Sequence, residues 1–168
     1  MDDSRTAFDQ IVELFRDDGV RFIVIDGQAE WLFGSERVTY DIDLCYQRTP
    51  ENLERLAKAL KALKPTLRGA PPDLPFVLDA KSLALGNNFT LSTLADDLDL
   101  LGHVEPIGGF EELSKNAESI TYNGRLLAII GLDDLIRIKR HINRPKDRDS
   151  LMHLLAIKRI RDEQTGRG

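Results

Sequence analysis

Cysteine is almost absent from this chain: Cys45 is the only one in 168 residues, which excludes an intrachain disulfide and any multi-cysteine zinc site. It sits in an apolar run with no histidine nearby, so it reads as a small packed thiol rather than a nucleophile. Histidine is scarce too, and His103, His141 and His153 match no zinc-ligand spacing. No apolar run approaches the roughly 18 residues that would cross a bilayer. The start, Met1-Asp2-Asp3-Ser4-Arg5, lacks the basic and apolar regions of a signal peptide. A cytoplasmic protein without a membrane partner is expected. Internal repeats and low-complexity segments are also missing.

What is present suits a globular domain. Hydrophobic residues make up 42% and charged residues 30% of the chain. A chain this long buries roughly two-thirds of its unfolded surface. A single domain over 1–168 is expected, with a sheet-containing core to about 130 and carboxy-terminal helices over about 131–163. The net charge of −5 hides an asymmetry: from Arg137 onward ten Lys or Arg face four Asp or Glu, leaving the rest of the chain at −11. A charge run of this kind is commonly a solvated helical face. Its sharper reading is neutralisation of phosphates brought to an acidic, metal-loaded centre.

Periodicity sets the order of elements. Phe8, Ile11, Val12 and Phe15 follow helical spacing up to Gly19, and Arg21 to Ile25 is an apolar, β-branched run suited to a covered strand. Asp26-Gly27-Gln28 follows at once, and Ala29 to Phe33 reads as one or two helical turns. Thr49-Pro50-Glu51 opens a helix with an apolar stripe from Leu53 to Leu63. Pro65 to Pro75 reads as an irregular connection. Phe89 to Thr93 and Leu98 to Leu101 read as strands around a turn at Ala95-Asp96-Asp97, and Glu118 to Tyr122 with Leu126 to Ile130 as a hairpin turned by Asn123-Gly124. Leu132 to His141 and Lys146 to Arg161 read as helices parted at Arg144-Pro145. The expected class is α+β: a small mixed sheet flanked by helices, ending in a helical pair.

The chemistry is concentrated in Val38 to Tyr46, a strand-like run carrying Asp41 and Asp43. Strand alternation puts Thr39, Asp41, Asp43 and Cys45 on one face, opposite an apolar face. Two acids about 7 Å apart along a strand can reach one divalent cation, and they repel unless something positive lies between them. The bland alternative is that they only solvate an open sheet face. Gly27, in a strand-to-helix turn, lets the backbone approach an anion.

Phe22 to Ala29, then Gly34, Arg37, Thr39 and Asp41-Ile42-Asp43-Leu44, resemble the opening of the nucleotidyltransferase superfamily that includes DNA polymerase beta. More narrowly they are similar to its prokaryotic branch with AbiEii-type toxin nucleotidyltransferases. The similarity continues through Asn88 to Thr93, Leu98 to Leu101, Leu135 to Lys139 and Arg144 to Asp147.

The resemblance implies the fold of that superfamily and transfer of an NMP from an NTP, such as ATP, to a hydroxyl acceptor with pyrophosphate release. It implies that Asp41 and Asp43 hold Mg²⁺ (or Mn²⁺), and that Asp99 is the third carboxylate, as general base or second-metal ligand. Asp97 is its rival, although it reads as a turn residue. Gly27 and Gln28 would lie at the nucleotide, with Arg37 and Lys139 near the triphosphate. Thr39 would either stabilise the strand or touch a phosphate. For Lys139 the competing reading is a surface cation, and Arg144, Lys146, Asp147 and Asp149 read as helix-start scaffolding.

The acceptor could be RNA such as tRNA, a protein side chain or a small molecule. A regulatory nucleotide-binding protein without turnover, as one half of a toxin–antitoxin pair with a cognate antitoxin, is the alternative. One departure stands out: where the turn usually has two glycines, the first is Asp26. Its charge either weakens nucleotide binding or turns away to cap the helix.

Overall fold

A computed structural model describes residues 5–35, 41–71 and 73–166. The chain runs α1 (Ala7–Asp17), β1 (Phe22–Ile25), α2 (Asp26–Leu32), β2 (Asp43–Tyr46), α3 (Pro50–Ala62), β3 (Thr66–Leu67), α4 (Ala80–Leu85), β4 (Asn88–Ser92), β5 (Asp97–Leu101), α5 (Phe110–Ser114), β6 (Glu118–Tyr122), β7 (Arg125–Ile129), α6 (Leu132–Ile142) and α7 (Pro145–Thr165). The seven strands form one mixed sheet in the order β3-β4-β5-β2-β1-β7-β6.

Local chemistry accounts for the elements. Thr6 caps α1 in a reciprocal capping box with Asp9, and the α1 stripe of Phe8, Ile11, Val12 and Phe15 is buried. Phe15 meets Phe22 of β1, and Phe8 meets Tyr122 of β6, both edge to face. Thr49 caps α3 with Pro50 at its first turn, and Leu53, Leu56, Ala59 and Leu60 are buried. Asn123 and Gly124 both take positive φ at the β6–β7 turn, as a two-residue hairpin loop requires. At the start of α7 the backbone N–H of Arg144 donates to the Asp147 carboxylate at 3.1 Å, tying the first turn.

Several expectations are corrected. The sheet is larger than expected, because β3 pairs with β4 inside what reads as an irregular proline-rich connection. The acidic strand is shorter: β2 begins at Asp43, Asp41 precedes it, and Val38, Thr39 and Tyr40 lie outside the described residues. All four β2 residues are buried, so both of its faces are covered rather than one. Cys45 is fully buried, and burial, with Glu111 and Glu112 adding to it, pushes its thiol up to about 12. Asp97 is the first residue of β5, paired with Ser92, rather than part of the turn. The helix α2 starts at Asp26, three residues earlier than its apolar pattern indicates.

Candidate active site

Three neighbouring strands bring the acids together. β1 runs antiparallel to β2 with Ile25 opposite Asp43, and β2 runs parallel to β5 with Asp43 opposite Asp99. Residues in register on adjacent strands project to the same face, with strands about 4.8 Å apart, so Asp43 and Asp99 sit side by side. α2 springs from the end of β1 directly beside them, which puts Asp26, Gly27 and Gln28 at the same sheet edge.

The electrostatics of Asp43 record that crowding. Its carboxyl is pushed up to about 8, chiefly by burial, then by the charges of Asp26 and Asp99, by a hydrogen bond with Asp99 and by the charge of Asp41. Among the described residues no cation pairs with Asp43. Asp99 is different: the Arg68 guanidinium stands 3.0 Å from its Oδ1. That approach lacks hydrogen-bond alignment, and Oδ1 is a buried oxygen with no hydrogen-bond partner among the described residues.

Asp26 resolves the departure in the glycine turn. It takes φ 60°, a left-handed conformation that suits glycine and that an Asp tolerates at some cost. Its carboxylate accepts from Lys139 Nζ of α6. Lys139 is no surface cation. It is 4% exposed, and its ammonium also lies 3.4 Å from Asp147 of α7 and 3.9 Å from Glu30 of α2. Burial opposes the charge on Lys139, and the acids outweigh it, chiefly Asp26, so that its pKa is raised. Asp147 is held down to about 2 against the effect of burial, by hydrogen bonds from Arg144 and by the Lys139 charge. Gln28 is buried in α2. Arg37 and Thr39 lie outside the described residues.

The donor set suits a hard divalent cation in part. Asp43 and Asp99 are adjacent oxygen donors, the first with no cation paired to it and the second with an orphaned oxygen among the described residues, and Asp41 adds a third acid nearby. Among the described residues no group of three or more His, Cys, Asp or Glu is already gathered around one ion position. Magnesium characteristically takes only one or two carboxylates and completes its shell with water and substrate phosphates, so two facing carboxylates are sufficient for it.

No protein-family model matches the sequence, and neither does any curated protein. Solved structures do match by shape. The lincosamide antibiotic adenylyltransferase LnuA, seen with lincomycin bound, aligns over 90% of this chain and 96% of its own, with TM-score 0.61 and 16% identity. The nucleotidyltransferase candidate TM1012 of Thermotoga maritima aligns over 88% and 89% respectively, with TM-score 0.53 and 13% identity. An antigenic nucleotidyltransferase-like protein of Paracoccidioides brasiliensis aligns over 92% and 77%, with TM-score 0.53 and 13% identity. The fold is therefore that of the nucleotidyltransferases, an α+β sheet flanked by helices. No helix among the described residues is long and apolar enough to cross a membrane.

Two elements of the site escape sequence reasoning. Arg68 lies in a connection that carries no periodic signal, and its partners are about 30 residues away. The Asp26–Lys139 pair spans 113 residues, and only the oddity of an acid in a glycine turn hints that a cation must be near.

Proposed function

We propose that this chain transfers a nucleoside monophosphate from an NTP to a hydroxyl acceptor, releasing pyrophosphate. The observation that carries this reading is the crowded Asp43–Asp99 pair beside the Asp26-Gly27 turn, on a nucleotidyltransferase fold. Asp41 and Asp43 would hold Mg²⁺ or Mn²⁺, which when bound supplies positive charge at the phosphates. Asp99 would take the proton of the acceptor hydroxyl as its oxygen forms the new bond to the α-phosphorus. The bond from the α-phosphorus to the bridging oxygen breaks, and that oxygen leaves with pyrophosphate.

Gly27 and Gln28 would face the nucleotide in the turn, with Arg37 and Thr39 contributing from the stretch before β2. Lys139 would act on the triphosphate from a buried position, through its hold on Asp26. The likeness to an adenylyltransferase seen with lincomycin favours ATP as donor and a small-molecule hydroxyl as acceptor.

The test is incubation with Mg²⁺ and each labelled NTP in three arms: a library of hydroxylated small molecules, total RNA and total protein. Label should move to an acceptor with the wild type and not with Asp41→Ala plus Asp43→Ala. Transfer that persists in the double variant would overturn the assignment of these acids, and label captured only by RNA or protein would overturn the small-molecule acceptor.

A further inference from the structure

A cavity of about 760 Å³ opens between the carboxyl end of α3, the turn into β3 and the segment that enters α4. We propose that it is a binding site for a small amphipathic anion, a molecule with an apolar body and a single anionic head. Binding there requires nothing of the transfer reading.

The chain supplies the charge and the apolar wall from different segments. Lys58 and Lys61 stand three apart on α3 and share one side of the helix, while Leu56, Ala59 and Leu60 turn into the core. Lys64 follows the helix end in a left-handed conformation, φ 47°, where the chain turns into β3. All three lysines line the cavity, and among the described residues none is in an ion pair. The rest of the lining is largely apolar. Phe76 and Leu78 pack partly buried against the core, and Val77 between them is 75% exposed. Two acids also line the cavity without cancelling the lysines. Asp79 Oδ1 is committed to the cap of α4, accepting from Ser82 N at 2.8 Å, and Glu54, one turn before Lys58, closes no ion pair.

This lining selects its ligand from two directions. An uncharged molecule would leave three ammoniums repelling one another, and a wholly polar anion would leave the apolar wall in water. Exposed ion pairs contribute little each, so the wall supplies the affinity and the lysines select the sign of the charge. The volume falls within the range of small-molecule sites, roughly 300–1,000 Å³. Placement separates this cavity from the acids. Thr66 lines it and is in register with Ser92 of β4, which is in register with Asp97 of β5. Two strand spacings put β5 about 10 Å further into the sheet, and none of Asp26, Asp41, Asp43 and Asp99 lines the cavity.

The experiment is a fluorescence titration of the full chain with 8-anilinonaphthalene-1-sulfonate, an aromatic body with one sulfonate, with circular dichroism confirming the fold of each variant. One molecule of probe should bind per chain, displaced by decanoate but neither by decyltrimethylammonium nor by Mg²⁺-ATP. Replacing Lys58, Lys61 and Lys64 together by Gln should weaken binding about tenfold, the sum of three exposed pairs. Ala57→Leu, which narrows the cavity from α3, should weaken it with the lysines intact and decides the matter if the triple variant does not fold. Binding that does not saturate, displacement by Mg²⁺-ATP, or equal affinity in a folded triple variant or in Ala57→Leu would overturn the proposal.

Discussion

The carboxylate of Asp26, one third exposed, and the buried ammonium of Lys139 form an ion pair that ties the turn after β1 to α6. An acid in a left-handed turn and a lysine sealed from water are each unfavourable alone, and each supplies what the other lacks. Removing the lysine would leave Asp26, Glu30 and Asp147 facing one another. Lys139→Met should therefore lower unfolding free energy by about 3–5 kcal/mol in a urea titration, the range for breaking a buried pair from one side. Asp26→Asn, which leaves Lys139 with Asp147 and Glu30, should cost no more than about 1 kcal/mol.

The same pair bears on ligand affinity. Asp26 contributes to the charge around Asp43, so a triphosphate brought to this edge meets an avoidable negative neighbour. Asp26→Asn should tighten NTP binding about fivefold, equivalent to ~1 kcal/mol of relieved repulsion, in isothermal titration at fixed Mg²⁺. Unchanged or weaker binding would mean that the Lys139 contact already cancels the charge of Asp26.

Asp43 makes stability fall as pH rises. Its folded pKa, about 8, lies above the ordinary carboxyl value of 3.8, so between these two values the folded state holds a proton that the unfolded state has released. The stabilisation is complete below about pH 4 and is lost progressively as pH climbs to about 8. Asp43→Asn, neutral throughout, should be more stable than wild type at pH 8.5 by about 2 kcal/mol and should show no such difference at pH 4. Adding Mg²⁺ at pH 8.5 should raise the wild-type melting temperature and leave the variant unmoved.

A steric prediction concerns the entry to α6. Gly131 precedes that helix with ordinary φ −62°, but a Cβ there would lie 2.3 Å from the carbonyl oxygen of Asn116. Gly131→Ala must therefore shift backbone rather than a side chain, and should destabilise by about 2–4 kcal/mol in chemical denaturation. A change under 0.5 kcal/mol would show that the α5–β6 connection yields freely.

Local signals made much of this molecule readable. The capped helices, the Asn123-Gly124 hairpin and the break at Arg144-Pro145 each follow from chemistry within a few residues. Asp41, Asp43 and Asp99 stood out because acids in apolar strands conflict with their surroundings. What stayed hidden depends on pairing across the chain. β3 is two residues long with both exposed, and only its alignment with β4 makes it a strand. For Lys139 a cation near the triphosphate and a helix-surface cation compete, because an amphipathic pattern does not reveal that acids of α2 and α7 stand against it. Arg68 had no local signature at all.

The lysine buried under Asp26 also limits how the chain can be divided. A cut after Ile130 would leave an apparently complete sheet with every acid of the site in place, yet Asp26 and Glu30 would lose the Lys139 counter-charge they share. The β1-α2-β2 unit that carries Asp26 and Asp43 is therefore not a portable cassette. Grafted elsewhere without a residue doing the work of Lys139, it would carry an uncompensated negative charge beside Asp43.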